Sequence, residues 1–161
     1  MRKVSVIGGL LKKIYRIYST SVLKSLQERG FTDLRPSFLE VLLYICENDG
    51  PSIKSIGVSC GLKKQTMTSH LNELEKRGYI FRQNNIEDKR EQNIFLTEFG
   101  EKFKLNLFEC IHETEKDYTS LVGDVELERI EHVLSNFHQK ITPQGPALKV
   151  APEQENLSFA F

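Results

Sequence analysis

Gln65, Thr68, Ser69, Asn72 and Lys76 recur every three or four positions. At about 100° per residue they form one stripe of a helix, with Met67, Leu71 and Leu74 on the opposite side and His70 beside those three. The stripe holds no acidic residue. Short donors and acceptors ending in an ammonium group suit base edges and the phosphates that border a major groove. A polar helix face is more often simply solvated, so this stripe is informative only in company. Lys89 and Arg90 supply that company within a polar run over residues 84–91, and Asp88 stands two residues before Arg90. A carboxylate at that spacing can hold a guanidinium extended, which lowers the entropy lost on insertion into a groove. A narrow minor groove attracts such an arginine through its negative potential. The plain alternative is a surface ion pair of little energetic weight.

The elements that must position these groups are mainly helical. Ile7, Leu10, Leu11, Ile14, Ile17, Tyr18 and Val22 predict a long first helix to about Gln27, closed by Arg29-Gly30. Pro36 opens a second helix carrying Leu39, Leu42, Leu43 and Cys46, and Asn48-Asp49-Gly50-Pro51 stops it. Ser52 caps a short third helix that Gly61 ends, and a fourth runs from about Lys64 to Lys76 before Gly78. Gly57, inside the third helix, costs about 1 kcal/mol of propensity, which predicts a second helix backbone passing close to it. Residues 79–83 and 92–96 are short, partly alternating and rich in aromatic and β-branched side chains, the pattern of a hairpin with a charged tip. Phe99, Phe103, Leu107, Cys110, Ile111, Tyr118 and Leu121 then mark a long helix, broken by Gly123-Asp124. Leu127, Ile130, Leu134, Phe137 and Ile141 mark a last one, spaced like a helix packed on another helix. Residues 142–161 are punctuated by Pro and Gly and read as a tail, with an apolar end at Leu157, Phe159 and Phe161.

Composition narrows the function classes. The chain has 161 residues and equal numbers of basic and acidic groups, 22 each, which removes the simplest nucleic-acid signal, a strongly basic chain. The neutrality hides an asymmetry: residues 1–35 carry eight basic and two acidic groups, residues 52–90 eight and four, and residues 98–139 four and ten. A basic first half beside an acidic later half is a recognised hint of nucleic-acid contact, and equally the pattern of a dipolar solvated surface. The start, Met1-Arg2-Lys3 followed by an apolar run, faintly imitates a signal peptide but lacks a cleavage site, and no apolar run is long enough for a membrane span. A cytoplasmic protein with no membrane partner is expected.

Other chemistries have thin support. Cys46, Cys60 and Cys110 are three, far apart and without a C-x-x-C pair, so neither a disulfide framework nor a zinc ribbon is expected. Cys46 and Cys110 lie on apolar stripes, where thiols are normally inert. His112 near Glu109 and Glu113, and Glu128 with His132, are isolated pairs of a kind common on acidic helices, so no metal site is assigned. There is no Gly-rich phosphate loop, nucleophile elbow or Ser/His/Asp set, and neither catalysis nor a cofactor is expected.

The run Gly50-Pro51-Ser52 to Gly61-Leu62, then Thr66-Met67-Thr68, Leu74-Glu75-Lys76-Arg77-Gly78-Tyr79-Ile80, Arg82, Asp88-Lys89-Arg90 and Leu96-Thr97-Glu98-Phe99-Gly100, resembles the MarR family of bacterial transcriptional regulators. The likeness follows element order over residues 7–141 and is dense in residues 36–100. It implies a mainly α fold with a small β-hairpin wing: a winged helix-turn-helix domain (36–100) between an N-terminal dimerisation helix (1–35) and C-terminal dimerisation helices (101–141), followed by the tail (142–161). It also implies a homodimer on double-stranded DNA, with the fourth helix in the major groove and the wing in the flanking minor groove. On that basis Gln65, Thr66, Thr68, Ser69 and Asn72 are expected at bases or nearby backbone, Lys63, Lys64 and Lys76 at phosphates, and Arg90, beside Lys89 and oriented by Asp88, in the minor groove. Family members often respond to a small phenolic or lipophilic effector, and Tyr15, Tyr18, Phe38, Leu42 and Phe103 are placed to meet one. Plain core packing explains the same five residues.

The chain departs from the family pattern at Lys63, where a Ser or Thr cap is usual, at Ser69, where a basic residue is common, and at His70, a usually aliphatic position. The resulting expectation is a ligand-responsive repressor on a pseudo-palindromic operator. Two rivals share its features: a winged-helix protein-interaction module without DNA binding, and a small-molecule- or metal-binding helical protein.

Overall fold

A computed structural model describes residues 2–143, so the apolar end at Leu157, Phe159 and Phe161 and most of the expected tail lie outside the described residues. The elements run α1 (Lys3–Glu28), α2 (Pro36–Glu47), α3 (Ile53–Cys60), α4 (Lys64–Lys76), β1 (Ile80–Asn84), β2 (Gln92–Leu96), α5 (Glu98–Val122) and α6 (Asp124–Ile141). They fall into two compact units, residues 1–115 and 116–161, the division lying within α5.

In the first unit the core is built around α2, which buries Phe38, Leu39, Val41, Leu42, Ile45 and Cys46. The second half of α1 joins it, through Val22, Leu23 and Leu26, with Tyr18 packed against them at the edge. Earlier in α1, Val6, Leu10, Ile14 and Ile17 are each more than half exposed, an apolar helix face without a partner in the described chain. Aromatic rings close the other side. Phe31 and Tyr79 both meet Phe103 edge-on, at 5.3 and 5.2 Å between centroids.

The helix ends explain the turn between α3 and α4. Ser52 Oγ accepts the Ser55 amide at 3.1 Å and caps α3. Gly61 adopts φ +63°, so its own amide reaches Val58 O and that of Leu62 reaches Gly57 O at 3.0 Å, closing α3 in a left-handed turn. Replacing Ser52 by Ala is expected to cost about 1 kcal/mol of stability, read as a shifted urea midpoint with unchanged slope. Gly57 departs from expectation. The nearest atoms to a Cβ there are Met67 Cγ at 3.4 Å and Leu62 O at 3.6 Å, so a side chain of α4, rather than its backbone, lies against this position.

The hairpin pairs Ile80 with Leu96 through to Asn84 with Gln92. The segment before α3 is stitched to it: Ile94 donates its amide to Pro51 O at 2.9 Å, and Asn93 Nδ2 donates to Gly50 O at 2.7 Å. At the other end Thr97 caps α5, its Oγ1 accepting the Gly100 amide at 2.9 Å while its own amide bonds Tyr79 O at 3.1 Å. The Leu96-Thr97-Glu98-Phe99-Gly100 sequence is thus a strand-to-helix junction.

The second unit holds the end of α5 and all of α6. Gly123, at φ +93°, breaks the two helices apart. No residue of α6 is fully buried, and Val125, Ile130 and Val133 are exposed.

Candidate nucleic-acid interface

Amphipathicity orients α4. Met67, Leu71 and Leu74 are at most 1% exposed, which turns Lys63, Lys64, Gln65, Thr66, Thr68, Ser69, Asn72 and Lys76 to the surface. Lys63 supplies no side-chain cap at the start of α4. The first-turn amides therefore remain free to meet an anion, with two lysine side chains beside them. The α4 end is closed by the amide of Tyr79, which bonds Leu74 O at 3.0 Å, and by Gly78 at φ +85°.

Internal hydrogen bonds restrict what the exposed groups can do. Thr68 Oγ1 donates to Lys64 O at 2.9 Å, so its hydroxyl proton is engaged and its lone pairs and methyl group face outward. Asn72 Oδ1 accepts from the Arg82 guanidinium. That bond takes one of the two Oδ1 lone pairs and orients the amide, leaving the second lone pair and the Nδ2 donors for a base edge or phosphate.

Arg82 is the functional residue that the sequence reading left without a role. Its Nε lies 3.7 Å from Glu75 Oε2, in ion-pair range but beyond hydrogen-bond reach, and this buried Nε has no hydrogen-bond partner. From β1, Arg82 therefore grips α4 at Asn72 and Glu75 and fixes the wing base to the helix. Period two was the available signal: Arg82 follows buried Ile80 on the same face of its strand.

The wing tip is ordered by short side-chain turns. Asn85 Oδ1 accepts the amide of Glu87 at 2.8 Å, and Asp88 Oδ1 accepts the amide of Arg90 at 3.0 Å. Asp88, expected to orient Arg90 through its guanidinium, meets the backbone amide of Arg90 in this structure. The reason is geometric: at a spacing of two, the short Asp side chain meets the main-chain amide first. Lys89 and Arg90 are exposed, and among the described residues neither has an ion pair.

The five residues expected to meet an effector separate. Phe38, Leu42 and Phe103 are fully buried, whereas Tyr15 is 45% exposed and Tyr18 half-buried. The rings of Tyr15 and Tyr18 lie 6.3 Å apart. Phe38 faces α4, with Arg35 over its ring at 4.3 Å and His70 against it edge-on at 5.1 Å. Burial, and then the Arg35 charge, hold His70 below the ordinary imidazole pKa. As the folded value is depressed, the unfolded chain takes up the proton first, and stability present above about pH 6.5 falls as the pH drops through that value. His70→Gln is expected to flatten this dependence in melts compared at about pH 7.5 and 5.5.

Burial pushes the Cys46 thiol up to about 12 and the Cys60 thiol to about 11, and raises Cys110 as well. All three are protonated near neutral pH. Among the described residues no group of three or more His, Cys, Asp or Glu side chains is placed to hold a metal, and no helix is long and apolar enough to cross a membrane.

Comparison with known proteins agrees with this geometry. A model of the MarR family matches residues 32–91. The HTH-type transcriptional regulator SarZ of Staphylococcus saprophyticus is 31% identical over 132 residues, which are 80% of this chain and 82% of that one. The HTH-type transcriptional regulator TtmR of Methylorubrum extorquens is 32% identical over 100 residues, and there the match spans 62% of this chain and half of that protein's length. A MarR transcriptional regulator from Methanosarcina mazei Go1 superimposes with a TM-score of 0.73 at 23% identity, covering 84% of this chain and 96% of that one. Overoxidized AbfR bound to DNA does so with a TM-score of 0.59 at 28% identity, covering 85% and 96%. The chain belongs to the MarR family of winged helix-turn-helix transcriptional regulators, and its relatives are regulators rather than enzymes.

Proposed function

We propose that this regulator is a ligand-responsive repressor that binds a pseudo-palindromic operator as a homodimer, with α4 in the major groove and the wing tip in the adjacent minor groove. The observation that carries the reading is the acid-free exposed stripe of α4, held by Arg82 to a hairpin whose Lys89 and Arg90 have no ion pair among the described residues. The structure of AbfR with DNA supports it by likeness. Gln65, Thr66, Thr68, Ser69 and Asn72 take base or nearby backbone contacts, and Lys63, Lys64 and Lys76 take phosphates.

The dimer rests on unpartnered apolar surface. In α1, Val6, Leu10, Ile14 and Ile17 are exposed at helical spacing, and in α6 Val125, Ile130 and Val133 are exposed too, a feature that monomeric proteins usually avoid. Two-fold symmetry would set half-sites about one helical turn apart. Among the residues assigned to a phenolic or lipophilic effector, Tyr15 and Tyr18 have surface to offer, and contact with Phe38, Leu42 or Phe103 requires the core beside them to open.

The test is a mobility-shift titration against the duplex upstream of the protein's own gene, repeated at several salt concentrations. Specific binding that weakens steeply with salt supports the proposal. Failure to shift that duplex more tightly than unrelated DNA favours a protein-interaction module instead.

A further inference from the structure

A cavity of about 370 Å³ opens between the end of α2, the base of the hairpin and the first turns of α5. Its volume is within the range of small-molecule sites. None of the residues expected to meet a phenolic effector lines it. Its accessible apolar side is formed by Phe81 and Phe95, whose rings stack 5.7 Å apart at 23°, with Ile45 and Ile94 buried behind the lining. Its rim carries the carboxylates of Glu47, Asp49 and Glu101 against a single cation, Lys104.

We propose that this cavity binds a small organic cation with a flat apolar body. None of its three carboxylates has an ion pair among the described residues. Lys104 offsets the rim charge only in part: its ammonium lies 6.0 Å from the Phe108 ring centroid and has no ion pair among the described residues. A cation entering the cavity gains from the excess negative charge at its rim, and its apolar body from contact with the Phe81 ring, which is 43% exposed. An anion meets repulsion at the rim. The cavity also exposes an unused polar atom: Cys46, 5% exposed, contributes a thiol with no hydrogen-bond partner in the described chain. Burial keeps that thiol protonated, so it forms a neutral, polarizable wall.

The site is coupled to the hairpin. Phe81, Ile94, Phe95 and Leu96 belong to the strands, and the turn that contributes Asn48, Asp49 and Gly50 is bonded to β2 through Gly50 O to Asn93 and Pro51 O to Ile94. A Cβ on Gly50 would lie 2.7 Å from the Phe95 ring, so turn and ring are already in close contact. An occupant that touches both the strands and α5 favours one setting of the wing over others. This last consequence rests on the proposed function. Binding itself does not, and it is measured without DNA.

The experiment titrates the full chain, free of DNA, with three probes of matched shape: 1-benzylpyridinium, uncharged 4-benzylpyridine and the 4-benzylbenzoate anion. Calorimetry is expected to rank the cation tighter than the anion by about ten-fold or more. The surface variant E47Q/D49N/E101Q is expected to lose that preference, whereas Phe81→Ala weakens all three probes. Lys104→Met is expected to strengthen the cation. Equal affinity for cation and anion, an unchanged preference in the neutralised variant, or no saturable binding of any probe would overturn the proposal.

Discussion

Arg90→Ala is expected to weaken operator binding by about ten- to a hundred-fold while leaving the oligomeric state unchanged. The side chain is exposed at the wing tip, and no carboxylate among the described residues pairs with its guanidinium. Its backbone is fixed by Asp88 Oδ1, so the loss is confined to the group that would enter the minor groove. One cation fewer on the phosphates and groove should also reduce the salt slope by about one unit. Titrations with labelled operator at several salt concentrations, paired with sedimentation of the same samples, read both effects. Unchanged affinity at physiological salt would remove Arg90 from the interface. Asp88→Ala, which keeps the guanidinium but frees the tip, should fall between the two.

The second large effect concerns stability. A Cβ built on Gly100 lies 2.1 Å from Tyr79 O and 3.1 Å from Leu96 Cβ and Cδ2. The carbonyl is backbone at the strand entrance and already accepts the Thr97 amide at 3.1 Å, so it cannot yield without disturbing the junction. Gly100→Ala is therefore expected to destabilise the protein by about 2 kcal/mol or more. Chemical denaturation followed by circular dichroism measures it. Gly57→Ala supplies the contrast. The nearest obstacle there is Met67 Cγ at 3.4 Å, an ordinary van der Waals contact with a flexible side chain, and the helix gains propensity. That variant is expected to be neutral or slightly more stable, and a loss as large as that of Gly100→Ala would contradict the packing described.

Local signals made most of the fold readable from sequence. Pro36, Ser52, Gly61, Gly78 and Gly123 each mark a boundary through their own backbone or capping chemistry, and the elements begin and end beside them. The inward face of α4 was readable for a similar reason, since three apolar residues at helical spacing can only turn inward in a helix of that length. What escaped was chemistry between elements. Arg82 and Asn72 are ten residues apart on different elements, and nothing in either neighbourhood signals that they bond. How Asp88 orients the wing tip was not legible either, because spacing in sequence does not decide between a backbone amide and a side chain as the hydrogen-bond donor. Phe38, Leu42 and Phe103 could not be assigned to core or cavity from periodicity, which gives the direction of a side chain but not the depth of what covers it.

The most direct test of the central claim, that α4 and the wing of two copies read one duplex together, is selection of bound sequences by the full chain from a random pool of duplex DNA. The account predicts enrichment of an inverted repeat with half-sites about one helical turn apart, bound by two protomers. Recovery of no enriched sequence, or of a single unrepeated site bound by one protomer, would contradict it.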